Sequence, residues 1–199
     1  MKRILLTTFT ACILTLTSSG QGTFSFANST TSLFQYRDLS TGYVPTPVPV
    51  HGGMVELLWA PLGTLDLYLF QVVPGVNPIT VVPASGRFIG GTRTIPAGSG
   101  FTGIAPGDTV SMVIRGWKGS ATSWLEAEGS VGELLGYSEI FTVNTGDPTI
   151  IPAEIPGRLT GPGGFTGLIV GVPEPSCLAL GGFGVAVLLA LRRKQQSNM

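Results

Sequence analysis

The side chains that could carry acid–base chemistry are few in this chain and are not grouped. His51 is the only histidine, so the chain cannot form a zinc site of several imidazoles or supply a second imidazole proton shuttle. It follows a stretch, residues 44–50, that three prolines stiffen, and we expect it on an exposed loop. Glu126 and Glu128 lie side by side, whereas a glycosidase needs its two carboxylates on opposite sides of a sugar.

Other catalytic and metal-binding patterns are also missing from the sequence. No Gly-x-Ser-x-Gly turn is present to hold a serine nucleophile. Asp108 follows Pro106 and Gly107, which predicts a turn residue, and no acidic loop has the ligand spacing of a calcium site. The sequence therefore predicts no catalytic residue, no metal site and no cofactor. A secreted hydrolase that uses His51, or Glu126 with Glu128, is the least favoured alternative.

Large aromatic residues are a second kind of candidate, because an exposed ring can stack on the face of a sugar. Such a platform could include the tryptophans Trp59, Trp117 and Trp124 and the tyrosines Tyr43, Tyr68 and Tyr137. Burial is the usual outcome for rings of this size, and Trp59 and Trp117 are then core residues at strand ends. A lectin-like module that binds exopolysaccharide is therefore kept as an alternative function.

The C-terminal region has three consecutive parts. The tag Val172-Pro173-Glu174-Pro175-Ser176 precedes an apolar run of 15 residues, 177–191, and three cations follow at 192–194. The two prolines keep the tag extended. Although about 17–25 residues span a bilayer comfortably, the run has no polar face and ends in cations that should stay cytoplasmic. It predicts a transmembrane helix; a helix packed on the domain is the alternative.

This order of tag, apolar run and basic stop resembles the PEP-CTERM sorting signal of Gram-negative bacteria. The resemblance implies that an exosortase, a membrane peptidase or transpeptidase, recognises the tail. The implied recognition motif is formed by Val172, Pro173, Glu174 and Pro175. The implied membrane stop is formed by Arg192, Arg193 and Lys194. The resemblance assigns no catalytic role to any residue of this chain.

The N-terminal 20 residues have the pattern of a secretory signal peptide. Lys2 and Arg3 precede an apolar stretch, 4–16, and small residues at Ser18 and Gly20 favour cleavage after Gly20. A second exit after Ala27 and a lipoprotein form through Cys12 are alternatives. Export through the Sec translocon agrees with the orientation that the basic stop predicts for the tail.

Charge and cysteine content set limits on the region between the ends. Residues 21–171 contain ten acidic and six basic side chains, a net charge of −4. Nucleic-acid binding relies on Lys and Arg neutralising phosphates, so we exclude that class of partner. Both cysteines, Cys12 and Cys177, lie in the terminal apolar segments, so the stability of this region must come from packing without disulfides.

Short runs of β-branched, leucine and aromatic residues alternate with Gly and Pro in this region, which is typical of an all-β domain. They predict strands at 23–27, 54–59, 65–73, 79–82, 109–117 and 137–143, with a short helix near Glu126 or Glu133. In the 109–117 run, Val110, Met112 and Ile114 share one face. The predicted fold is a single antiparallel β-sandwich over 21–144, Ig-like or jelly-roll in style with about seven to nine strands. A signal helix and a transmembrane helix flank it.

The region also resembles, less specifically, a group of PEP-CTERM proteins that share no assigned activity. Residues 22–28, 87–95, 113–117 and 137–143 carry this likeness, which implies a fold and not a function. Between 145 and 171, 11 of 27 residues are Gly or Pro, which predicts a linker with a last strand at 165–170 as an option.

The predicted function is that of an exported, non-catalytic protein of the cell surface or extracellular matrix, sorted by an exosortase. The chain is expected to cross the inner membrane and to be held transiently by residues 177–191, with its domain periplasmic. After processing, it is expected at the outer surface or in the matrix.

Overall fold

The computed structural model describes residues 22–73, 75, 78–95 and 105–171. Within these ranges the chain is mostly β-sheet, with one short helix, α1 (Trp124–Gly129), and two 3-10 turns, Leu39–Thr41 and Leu67–Leu69. The strands are β1 Gly22–Ala27, β2 Phe34–Arg37, β3 Thr46–Pro47, β4 Gly53–Pro61, β5 Gln71–Val72, β6 Ile79–Thr80, β7 Ile89–Ile95, β8 Thr109–Lys118, β9 Leu134–Tyr137, β10 Phe141–Asn144, β11 Gly157–Arg158 and β12 Leu168–Gly171. The all-β prediction is confirmed for this part of the chain.

The longest two strands form the centre of a six-stranded sheet. β4 and β8 pair antiparallel from Gly53↔Lys118 to Pro61↔Val110. Short strands complete the sheet on either side, β5 and β6 on β4 and β9 and β10 on β8. Two three-stranded sheets, β11-β1-β7 and β12-β2-β3, accompany it. The strands predicted at 23–27, 54–59 and 109–117 correspond to β1, β4 and β8.

One hydrophobic core joins the three sheets. Val110, Met112 and Ile114 point into it from β8, as the alternation in the sequence predicts, because successive side chains of a strand face opposite sides. β1 contributes Phe24 and Phe26 from the second sheet. The largest wholly buried side chains of this core are Trp59, Phe24, Phe26, Phe34, Phe88, Leu57, Met112, Ile114, Leu159 and Leu168.

The outer face of the central sheet is covered as well, by two smaller clusters. Phe70 packs there with Leu58, Ala60 and Val113. Helix α1 brings Trp124 and Ala127 against Trp117 and Ala121. Burial on both faces explains why β4 has an almost continuous apolar sequence instead of a clean polar–apolar alternation.

The predicted strand at 65–73 is wrong over most of its length. Asp66 accepts a hydrogen bond from the backbone N of Tyr68 at 3.0 Å and begins the 3-10 turn Leu67–Leu69. Only Gln71–Val72 pairs with β4. Aspartate competes for backbone donors and favours turns over strands, so the alternating leucines of this segment lie outside the core, and Leu65 is 80% exposed.

Two other predicted strands differ from the observed ones. The 137–143 run is divided between β9 and β10. Between them, the Ser138 hydroxyl accepts from the backbone N of Ile114 at 3.0 Å, in the place of a backbone carbonyl. The 79–82 run contains a two-residue strand, β6. The short helix predicted near Glu126 is confirmed as α1.

The linker prediction is wrong for residues 157–171, which pack against the domain, whereas residues 148–155 are exposed. The optional last strand at 165–170 overlaps β12. β11 pairs with β1 and β12 pairs with β2, both in parallel, and a wholly antiparallel arrangement is therefore also wrong. Phe165, Leu168 and Val170 are buried in the common core. The Gly and Pro residues mark turns between short strands. Turns of this kind and a flexible linker have the same amino-acid composition, so composition does not separate them.

The predictions for the two ends lie outside the described residues. They are the signal peptide at 1–20, the tag at 172–176, the transmembrane segment at 177–191 and the basic stop at 192–194. Within the part of the chain that the structure describes, no helix is long and apolar enough to cross a membrane.

Candidate functional site

The histidine that a hydrolase would need lies in a tight turn. His51 has a left-handed backbone with φ of 59° and an exposed side chain. Its backbone N donates to the carbonyl of Val81 at 3.0 Å. The residue therefore closes the turn before β4, as the loop prediction from the sequence indicates.

The two glutamates of the glycosidase alternative lie together on α1. The Glu126 carboxylate accepts hydrogen bonds from the backbone N of Thr122 at 2.7 Å and from the Thr122 hydroxyl at 2.8 Å. These bonds, the backbone one foremost, lower the pKa of Glu126. Glu128 is exposed two residues further along. Glu126 thus fixes the start of the helix, and the pair does not enclose a site for a sugar.

Asp108 and Asp147, two acidic residues in loops, are engaged in turns. Asp108 accepts a hydrogen bond from the backbone N of Ala105 at 2.6 Å. Asp147 accepts from the backbone N of Thr149 at 2.8 Å and from its hydroxyl at 2.6 Å. Over the described ranges, no three His, Cys, Asp or Glu side chains are grouped so that they could hold a metal ion.

The three tryptophans are buried, so the predicted sugar-stacking platform is wrong. Trp59 is 1% exposed, Trp117 0% and Trp124 9%. Trp59 lies in the common core, and the Trp117 indole N donates to the Ala121 carbonyl at 2.7 Å. The lectin-like alternative therefore loses its three tryptophans, while Tyr68 and Tyr137 are 97% and 41% exposed.

Trp124 is buried by an ion pair and two aromatic neighbours. The Arg115 guanidinium donates to Glu56 at 2.6 Å and lies 4.9 Å from the centre of the Trp124 ring. The rings of Trp117 and Tyr137 are 6.0 Å and 5.0 Å from it. A cation over an indole face and edge-to-face aromatic pairs are both favourable, so this cluster secures α1 to the central sheet.

The last described strand brings the chain to the start of the predicted tag. β12 ends at Gly171, which is paired in register with Arg37 of β2, and the tag begins at the next residue. Beyond Arg37, the Asp38 carboxylate lies 4.0 Å from the Lys118 ammonium at the end of β8. We call this end of the molecule, with the loops around it, the exit end.

Three loops surround Gly171 at the exit end. Residues 38–45 connect β2 to β3, and residues 119–123 connect β8 to α1. Residues 130–133 precede β9, and their Glu133 accepts hydrogen bonds from the backbone N of Ser120 at 2.8 Å and of Ala121 at 3.2 Å. Glu133 therefore holds the second and third loops together.

The Asp38 carboxylate at the exit end is hydrogen-bonded within its own loop. Asp38 accepts from the Ser40 hydroxyl at 2.5 Å and from the Thr41 backbone N at 3.1 Å. The Ser40 hydrogen bond, with help from Thr41 and the nearby Lys118 charge, lowers the pKa of Asp38. The apolar side chains on these loops face solvent instead: Leu39 is 80% exposed, Val44 63%, and Val131 is fully exposed.

Sequence reasoning missed these apolar residues. Each is a single residue in a polar loop, and isolated exposed apolar residues are common in proteins. Only the pairing of β2 with β12 and of β8 with β9 brings their loops to one end.

The opposite end of the central sheet, the far end, carries the start of β1. Gly22 pairs with Ile95, and the backbone N of Thr23 donates to the carbonyl of Gly146 at 2.9 Å. The loop at residues 62–70 follows β4 at the same end and exposes several large apolar side chains. These are Leu62, Leu65, Leu67, Tyr68 and Leu69.

Comparisons of the chain with protein-family models, with curated proteins and with solved structures each find no match.

Proposed function

We propose that this chain is an exported, non-catalytic protein of the cell surface or extracellular matrix whose C-terminal tail is recognised and processed by an exosortase. The observation that carries the proposal is the tail sequence, in which the Val172–Pro175 tag, the apolar run 177–191 and the cations 192–194 follow in order. The position of Gly171 supports it, because the last described strand ends one residue before the tag.

The tag has the chemistry of a segment that an enzyme can grip. Pro173 and Pro175 lack a backbone N–H and restrict φ, so they cannot extend the ladder of β12. An extended segment between a folded domain and a membrane is accessible to an active site at the membrane surface. The carboxylate of Glu174 supplies the one acidic group of the tail, which a basic pocket of the enzyme would bind.

The delivered part is proposed to be a β-sandwich that acts without catalysis. Its support is the common core, which receives side chains from all three sheets. In the proposed orientation the cations at 192–194 stay cytoplasmic, the domain faces the periplasm, and the Sec translocon delivers it there unfolded. A cysteine-free domain can fold in that compartment without oxidation.

The test compares the destination of the wild-type chain with that of Glu174→Ala by cell fractionation. We expect the wild type in the surface or matrix fraction and the variant retained with the inner membrane, because the enzyme would lose its charged contact. Glu128→Ala is the matched control, since it removes an exposed carboxylate from α1. Normal surface delivery of Glu174→Ala would contradict the sorting role of the tag.

A further inference from the structure

We propose that the exit end of the domain rests on the bilayer before the tail is processed, with Leu39, Val44 and Val131 in contact with lipid. This inference rests on the proposed function, because it requires residues 177–191 to enter the membrane. It adds a surface of the folded domain to the sorting substrate, which the tail sequence by itself does not define.

The first step of the argument is the length of the connection. Residues 172–176 are the only ones between Gly171 and the apolar run, and an extended chain spans at most about 3.3–3.6 Å per residue. The end of β12 is therefore held within about 20 Å of the edge of the hydrocarbon core. The headgroup layer fills about 5–8 Å of that distance. Since β12 is packed in the core, the domain cannot move away by releasing a linker.

The second step is that this length constrains the exit end in particular. β8 has ten residues from Thr109 to Lys118, and at about 3.3 Å per residue the two ends of the central sheet are about 30 Å apart. Lys118 and Gly171 lie at the same end, because Lys118 contacts Asp38 and the Tyr36 ring of β2. The loops of the exit end are the parts of the described domain nearest the membrane.

The third step is the chemistry of these loops. Leu39 and Val44 belong to one loop of the exit end and Val131 to another, and their side chains are 80%, 63% and fully exposed. The Asp38 carboxylate accepts from the Ser40 hydroxyl and the Thr41 backbone N, and the Oε1 atom of Glu133 accepts from the backbone N of Ser120 and of Ala121. Loops that expose apolar side chains, and whose carboxylates accept hydrogen bonds from the loops themselves, suit the interface between water and lipid.

The charges nearby specify which kind of lipid surface is contacted. The cations of the exit end are Arg37, which is paired with Gly171, and Lys118, which is next to Asp38. Its carboxylates are those of Asp38 and Glu133, and helix α1 beside it carries the exposed Glu126 and Glu128. These charges give no excess of cations toward the membrane, so we expect contact through the apolar side chains and not through attraction to anionic headgroups. The contact should therefore persist at high salt.

The experiment uses the chain from Gln21 to Met199, without the predicted signal peptide, reconstituted in phosphatidylcholine vesicles. In a Cys177→Ala background, an environment-sensitive dye is attached at Leu39→Cys or Val131→Cys. Leu65→Cys is the matched control, because Leu65 is also a leucine with 80% exposure but lies at the far end. Quenching by lipids that carry a nitroxide near the headgroup reports contact with lipid, whereas contact with a second protein copy leaves the dye unquenched.

We expect quenching at positions 39 and 131 to be several-fold stronger than at 65, at both low and high salt. Equally weak quenching at the three positions, in protein that floats with the vesicles, would overturn the membrane contact while leaving the anchoring intact. Equally strong quenching at the three positions would mean that the domain lies on its side, and would also overturn it. Failure of the protein to float with the vesicles would contradict the proposed function itself.

Discussion

Asn28 illustrates how single polar side chains hold the ends of strands in this fold. Its amide N donates to the carbonyls of Ser32 and Gly86, both at 2.8 Å. Its amide O accepts from the backbone N of Phe88 at 2.9 Å and from Arg87 at 3.3 Å. The side chain is buried and uses its full capacity of donors and acceptors, so it joins the end of β1 to the start of β7.

We therefore expect Asn28→Ala to lower the free energy of unfolding by about 2–4 kcal/mol, because buried backbone groups lose their partners. Asn144→Ala is the control, since its exposed side chain has one hydrogen bond, from Thr109 at 2.6 Å, and should cost at most about 1 kcal/mol. Urea unfolding followed by tryptophan fluorescence measures both. Equal effects of the two substitutions would mean that the Asn28 bonds do not stabilise the fold.

At the residue scale, the turn at His51 could be predicted from the sequence, but the contacts that bury Trp124 could not. His51 stands beside Pro and Gly, which predict a turn from local chemistry alone. Whether Trp124 is buried depends on Arg115 and Tyr137, which approach it only after β8 and β9 have paired. Contacts of that kind leave no local pattern in the sequence.

At the scale of elements, prediction succeeded where a strand is long and its pattern is repeated. β8 has ten residues with a consistent inward face, and β4 has nine. β11 and β12 have two and four residues and pair in parallel with β1 and β2, far away in sequence. Such pairings are fixed by tertiary packing, so the Gly- and Pro-rich segment that contains them cannot be distinguished from a linker by composition.

The packing of β12 leads to a prediction about its two faces. Leu168 is buried in the common core, whereas its neighbour Ile169 is about half exposed. Leu168→Ala should lower the free energy of unfolding by about 2–5 kcal/mol, because it leaves a cavity in the core. Ile169→Ala on the same strand should cost at most about 1.5 kcal/mol.

Urea unfolding of the two variants provides the measurement. If Leu168→Ala were as stable as Ile169→Ala, residues 168–171 would behave as a tether, and the connection between domain and tag would be longer than proposed here.

At the scale of the whole molecule, the two ends of the described chain lie at opposite ends of the central sheet. β1 begins at the far end and β12 finishes at the exit end. With about 30 Å between those ends, a domain that stands on its exit end holds its N-terminus away from the bilayer. That orientation requires the signal peptide to have been removed, and it presents the leucine-rich loop at residues 62–70 outward.

The candidate site has two parts. The tag can be read from the sequence, whereas the group of exposed apolar side chains at the exit end is formed only by the fold. The tag and its neighbours are contiguous, so their order can be recognised in one dimension. Leu39 and Val131 are 92 positions apart, and they reach the same end through strand pairing. The sorting proposal therefore comes from sequence, and the membrane-contact proposal from topology.

Intact-mass spectrometry of the protein recovered from the cell surface tests the sorting account most directly. We predict a mature chain that contains the domain up to Gly171 but lacks Arg192, Arg193 and Lys194, because the exosortase has removed the end of the tail. A surface-located chain that retains these three residues would contradict the account, since its tail would then be a permanent anchor and not a processed signal.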